Sequence, residues 1–199
     1  MKRILSWLLP LLFCAAFLYG RVVFYGRMDD SVAVQDTESY FETAAKASFK
    51  LSFFEEQRSI TFPLLIHLSN SSGEHELTQL AEPYFQTEPR LAVQPGTENI
   101  IRNQTIISIL CWVGCALLVV SSLNGWFAKA LAAFLILGFG FVPQIADWDS
   151  ILSSESLSFS LFALSIGLLI KVLPNGKDDN FGAWAAGLGL SVINFFWIF

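Results

Sequence analysis

The stretch that decides the fold is Ile106–Ile145, IISILCWVGCALLVVSSLNGWFAKALAAFLILGFGFVPQI. It contains two long apolar runs, Ile106–Leu123 and Phe127–Ile145, separated only by Asn124-Gly125-Trp126. A helix that spans a bilayer needs about 20 apolar residues, and tryptophan is common at the membrane–water interface. The stretch therefore predicts a tight hairpin of two transmembrane helices.

Three further apolar runs lie outside this hairpin, at Ile4–Phe24, Leu157–Ile170 and Phe181–Phe199. The first follows Lys2 and Arg3, and we interpret it as a retained signal anchor. A cleaved signal peptide, the rival interpretation, would have a shorter apolar core followed by a small-residue cleavage site. The last run is still apolar at Phe199, so we expect the chain to be a fragment of a larger membrane protein.

The composition agrees with a membrane protein. Hydrophobic residues make up 54% of the chain and charged residues 15%, against about 25% charged residues in soluble domains. The 12 Lys and Arg are outnumbered by 17 Asp and Glu, which excludes a basic nucleic-acid-binding protein. The three cysteines lie inside apolar runs and indicate small buried hydrophobes rather than disulfides or a zinc site.

We therefore predict an all-α, multi-pass membrane protein with about five transmembrane helices and a large extracytoplasmic loop that carries interfacial amphipathic helices. The predicted parts are a first helix (1–25), the loop (26–104) and a membrane region (105–199) with helices at about 105–123, 126–145, 153–171 and 181–199.

Lysine and arginine concentrate in the cytoplasmic turns of membrane proteins, so their positions predict the orientation. Five bases fall on one side if all five runs span: Lys2, Arg3, Lys129, Lys171 and Lys177. The turn that carries Asp147 and Asp149 contains no Lys or Arg. We predict a cytoplasmic N-terminus and an extracytoplasmic segment 26–104.

The long loop carries most of the acids, with twelve Asp and Glu and four Lys and Arg between Met28 and Ile101. Within it, Asp36-Thr37-Glu38-Ser39-Tyr40 begins a predicted helix, with Asp36 as N-cap. Apolar residues then recur at helical spacing as far as Leu51. The pattern predicts an amphipathic helix that lies in the membrane interface.

The predicted topology brings five acids to one side of the membrane: Asp36, Glu38, Asp147, Asp149 and Glu155. A carboxylate there acts as a general base or holds a divalent cation against a phosphate. Four of these acids also have a structural interpretation. Asp36 would serve as a helix cap, Glu155 serves equally well as an interfacial residue at a helix start, and Asp147 and Asp149 fit a solvated loop better than a site.

Three segments occur in an order that resembles the C-type membrane glycosyltransferases, of which the protein mannosyltransferase-like branch is nearest. They are Asp36–Tyr40, Arg58–Leu65 (RSITFPLL) and Trp148–Leu161 (WDSILSSESLSFSL). Members of this family transfer sugars from polyprenyl-phosphate carriers.

The resemblance implies a role for each candidate residue. Asp36 would be the general base that deprotonates an acceptor hydroxyl, and Glu38 would support it or help to bind a metal. Asp147, Asp149 and Glu155 would line the carrier-phosphate or metal region, and Arg58 would contact phosphate. A divalent cation such as Mg or Mn is the candidate cofactor. The family usually has eight or more helices, so we expect a missing C-terminal part or a partner membrane protein.

Two other functions remain open from the sequence. A non-catalytic scaffold or subunit of a membrane complex would also fit five helices, and Gly182, Ala186 and Gly189 offer a close-packing face for a partner. An ion or proton pathway fits less well, because no acid lies in the middle of an apolar run.

Overall fold

The computed structural model describes residues 2–24, 31–34, 36–45, 60–69, 75–77, 92–172 and 189. These residues are mostly helical. The helices are α1 (Lys2–Phe24), α2 (Thr37–Ala45), α3 (Thr61–Leu68), α4 (Glu98–Ser122), α5 (Trp126–Phe141), α6 (Pro143–Ala146) and α7 (Glu155–Val172). A 3₁₀ helix (Asp147–Ser150) precedes α7, and two-residue strands β1 (Val32–Ala33) and β2 (Ala92–Val93) form an antiparallel pair.

Three of these helices are long and apolar enough to cross a membrane, over Ser6–Val23, Glu98–Ser122 and Glu155–Val172. A fourth candidate is the bent pair formed by Trp126–Gly140 and Pro143–Ser150. Within its described residues, the chain is therefore mostly helical with three or four candidate spans, as expected of a multi-pass membrane protein. The predicted fifth span, 181–199, lies outside the described residues except for Gly189.

Helices α1 and α5 run parallel, because contacts between them progress in the same direction along both. The pairs, in order, are Trp7 with Lys129, Phe13 with Phe134 and Phe17 with Phe141, and Arg21 near the end of α1 contacts Gly140 in the last turn of α5. The turn between α4 and α5 reverses the chain and contains Gly125 with φ +85°, a backbone conformation that favours glycine. Helix α4 therefore runs opposite to α1 and α5, and the predicted hairpin is present.

Helices α4 and α7 also run parallel to each other. Ile107 lies beside Leu157 in a shared groove, and further along Gly167 packs on Cys115. A Cβ atom at Gly167 would lie only 2.9 Å from the Cα atom of Cys115, so the two backbones are in contact. The ends of α1 and α5 and the starts of α4 and α7 consequently meet at one end of the bundle, which we call the acidic end.

Proline interrupts the third predicted helix. The sequence predicts a continuous helix from Phe127 to Ile145, whereas α5 ends at Phe141 and the chain bends by 60° before α6. Pro143 has no N–H to continue the hydrogen-bond ladder. Val142 before it is extended, with φ −65° and ψ 143°, as residues preceding proline usually are.

The described parts of the loop pack on the acidic end. Helices α2 and α3 form an apolar core with the starts of α4 and α7, in which Tyr40 meets Phe62 edge-to-face at 5.2 Å between ring centroids. Leu152 and Leu157 complete this core from the α7 side. The loop is thus joined to the membrane helices through buried side chains.

The contact at Gly167 generates a stability prediction. Gly167→Ala will push α4 and α7 apart and should destabilise the protein by about 1–3 kcal/mol, as overpacking does. Gly138→Ala is the matched control, because a Cβ there meets nothing within 4 Å. Thermal unfolding in detergent measures both, and equal stability of the two variants would contradict the backbone contact.

Candidate functional site

The candidate site is the junction between the segment around β1 and α2 and the segment that leads into α7. Leu152 donates its backbone N–H to the carbonyl of Val32 at 2.8 Å, and Val32 also forms an isolated parallel bridge with Ile151. Two polar segments that are far apart in the sequence, Asp36–Tyr40 and Leu152–Glu155, are brought together here.

Side-chain hydrogen bonds strengthen this junction. The hydroxyl of Thr37 donates to the carbonyl of Leu152 at 2.8 Å, and Thr37 is fully buried. One turn later, the Tyr40 hydroxyl and the Ser154 hydroxyl lie 2.8 Å apart. The residue that follows Asp36 and the residue that precedes Glu155 therefore both take part in the contact.

Three of the predicted site residues lie at or beside this junction. Asp36 is half-buried and immediately precedes α2, and Glu38 is exposed in the first turn of that helix. Glu155 is half-buried in the first turn of α7 and accepts a hydrogen bond from the Ser153 hydroxyl. Negative charge is favoured at a helix N-terminus, so both helix starts suit these carboxylates.

Two further predicted site residues are Asp147 and Arg58. Asp147 is exposed in the 3₁₀ helix, as the solvated-loop interpretation expects. Arg58 lies outside the described residues.

Asp149 is not in a solvated loop, and that prediction is wrong. Its exposed fraction is 5%, and its carboxylate forms an ion pair with the guanidinium of Arg21, which is 1% exposed. Asp149 also accepts a hydrogen bond from the Ser156 hydroxyl at 2.5 Å. The pair lies among apolar helices, so each charge has its partner inside the bundle.

Among the described residues, the guanidinium of Arg21 contacts three different elements. Besides Asp149, it donates to the carbonyl of Gly140 at 2.9 Å and to the hydroxyl of Ser108 at 3.4 Å. Gly140 lies in the last turn of α5, where carbonyls have no partner within the helix. Arg21 thus ties the end of α1 to α4, to the end of α5 and to the 3₁₀ helix.

Gln104 of α4 supports the same region from the other side. Its side-chain amide lies within hydrogen-bond distance of the carbonyls of Trp148, Asp149 and Ile151, at 3.1, 3.2 and 2.8 Å. Sequence reasoning singled out neither Gln104 nor Arg21 as a site residue. The sequence contained one signal for both residues, because each is a polar or charged side chain inside or beside an apolar run. Such a side chain usually has a specific partner in a membrane protein.

The described residues do not by themselves form a site for the divalent cation that the resemblance raises. Among them, no three His, Cys, Asp or Glu side chains are grouped closely enough to hold a metal ion. Asp149, one of the acids predicted to line the carrier-phosphate or metal region, already has the Arg21 guanidinium as its partner.

Asp149→Asn should strongly destabilise the protein, because it leaves the Arg21 charge buried without a counter-ion. Removing one partner of a buried ion pair costs about 3–5 kcal/mol. Asp147→Asn, two residues away and exposed, is the control and should leave stability unchanged. Denaturant unfolding in detergent compares them, and a stable Asp149→Asn protein would refute the buried pair.

No family model, no curated protein and no solved structure matches this chain.

Proposed function

We propose that the chain is an integral-membrane glycosyltransferase of the C-type class, alone or as part of a larger enzyme. The observation that carries the proposal is the junction between the Asp36–Tyr40 and Leu152–Glu155 segments. These segments belong to two of the three stretches that carry the resemblance, and their acids would have to meet around one substrate. The hydrogen bonds of Thr37 and Tyr40 support such a meeting.

In this proposal the carboxylate of Asp36 removes the proton from an acceptor hydroxyl. The hydroxyl oxygen forms a bond to the anomeric carbon of the sugar while the bond from that carbon to the carrier phosphate oxygen breaks. The polyprenyl phosphate leaves with the electron pair of that bond, the proton stays on Asp36, and the anomeric configuration inverts. Glu38 and Glu155 contribute negative charge at the same end of the bundle.

The ion pair changes the part that Asp149 plays in this proposal. Since its carboxylate is engaged by Arg21 and Ser156, we assign it no contact with the donor. In this proposal, Glu155 and the exposed Asp147 remain the acids that line the carrier-phosphate or metal region. Arg58 keeps its proposed contact with the phosphate.

An apolar groove beside the junction supports a lipid-linked donor. It has a volume of about 180 Å³ and lies between α3 and the N-terminal halves of α4 and α7. Leu64, Leu68, Ile107, Leu157 and Leu161 line it. Leu68 is 73% exposed, so the groove opens to the surroundings of the bundle and offers a hydrocarbon chain an apolar surface close to Glu155.

The test is sugar transfer in membranes that contain the full protein, with a radiolabelled polyprenyl-phosphate sugar as donor. Asp36→Asn should lower the rate by about 100-fold or more, since a general base contributes 10²–10⁴-fold. Glu42→Gln is the matched control, because Glu42 is an exposed acid on the same helix and should keep the wild-type rate.

Transfer by Asp36→Asn at the wild-type rate would overturn the assignment of the base. The alternative function is a non-catalytic scaffold or subunit. It predicts no transfer by the wild-type protein, and co-purification of a stoichiometric membrane partner that survives the Asp36→Asn change.

We also propose that the acidic end faces away from the cytoplasm. Lys129 and Lys171 lie at the opposite end of the bundle, at the start of α5 and the end of α7, as the positive-inside rule expects of the cytoplasmic face.

Labelling of introduced cysteines tests this orientation. A membrane-impermeant maleimide should label Glu38→Cys in intact cells, and Asn124→Cys only after the membrane is opened. The three native cysteines are buried, so the wild-type protein is the blank. The reverse labelling pattern would show the opposite orientation.

A further inference from the structure

The Arg21 guanidinium bridges the bend between α5 and α6. The chain turns by 60° after α5, yet the Gly140 carbonyl before the bend and the Asp149 carboxylate after it both contact Arg21. One rigid, planar group therefore determines how far the 3₁₀ helix lies from the end of α5. Arginine suits this position because its N–H groups are arranged in a fixed fork.

Asp149 in turn holds the start of α7 in place. Asp149 accepts the hydrogen bond of the Ser156 hydroxyl, which fixes the first turn of that helix next to Glu155. Gln104 holds the backbone of the same stretch through the carbonyls of Trp148, Asp149 and Ile151. The next contacts along the chain are those of Ile151 and Leu152 with Val32 and Thr37.

We infer that Arg21 and Asp149 are positioning residues, which hold the Leu152–Glu155 segment in register with Asp36–Tyr40. They act through the 3₁₀ helix and the first turn of α7 and do not touch the substrate. For catalysis this inference rests on the proposed glycosyltransferase function. The register itself is a property of the fold, and it can be measured without any transfer reaction.

A disulfide between positions 32 and 151 reports the register. Val32 and Ile151 are bridge partners, and Val32→Cys with Ile151→Cys should form a disulfide under mild oxidation, which requires Cα atoms within about 7 Å. Mass spectrometry of the linked peptides measures the yield. The single-cysteine proteins are the controls, because the native cysteines are buried.

The decisive variant is Arg21→Met combined with Asp149→Leu. It removes both charges and keeps apolar side chains in the bundle, a replacement that buried ion pairs often tolerate without loss of stability. Lys129→Met is the matched control, because Lys129 is a base at the other end of the bundle that packs on Trp7.

We expect the double variant to fold but to lower the disulfide yield by about fivefold, because the pairing distance is no longer held. Its kcat for sugar transfer should fall by about 100-fold with little change in KM, because a misplaced catalytic group slows the reaction. Lys129→Met should change neither. A double variant with the wild-type disulfide yield, or with the wild-type kcat, overturns the positioning role.

If the double variant does not fold, Arg21→Lys decides, because lysine keeps the charge but lacks the fork. A lowered disulfide yield then supports the inference, and a wild-type yield overturns it. The two proposals also fail separately. Absence of transfer by the wild-type protein refutes the glycosyltransferase, while the disulfide yields still decide whether Arg21 and Asp149 hold the register.

Discussion

The rest of the structure depends on the ion pair between Arg21 and Asp149. A charge among apolar membrane helices is unfavourable by about 2.5–3.5 kcal/mol at a helix centre, so such a group is stable only with partners. The partners of Arg21 lie on α4, at the end of α5 and in the 3₁₀ helix. Satisfying one guanidinium thus fixes the relative positions of four elements, including the segment that leads into the candidate site.

Much of the membrane part could be predicted from the sequence, because transmembrane helices are encoded locally. The runs beginning at Ile4, Ile106 and Leu157 correspond to the three clear candidate spans, and the turn at Gly125 lies where predicted. The break at Pro143 was also visible as a local signal, but the apolar residues around it outweighed the proline. The ion pair could not be predicted, since its partners are 128 residues apart and burial of Asp149 arises only from tertiary packing.

The candidate site was predicted in part. Counting the predicted spans puts Asp36, Glu38 and Glu155 on one side of the membrane. In the structure, the helix starts that carry these acids lie at the same end of the bundle. The connection itself depends on Thr37, Tyr40 and Ser154. Hydroxyl groups next to acids are too common in sequences to be recognised as partners without the fold.

The backbone contact between Gly167 and Cys115 closes the space between α4 and α7. With 2.9 Å between a Cβ built on Gly167 and the Cα of Cys115, no hydrocarbon chain can pass between α4 and α7 at this point. The groove beside α3 lies nearer the acidic end, between the N-terminal halves of α4 and α7. Among the described residues, an apolar ligand therefore finds room between these two helices in the groove that α3 lines, on the acidic side of the contact.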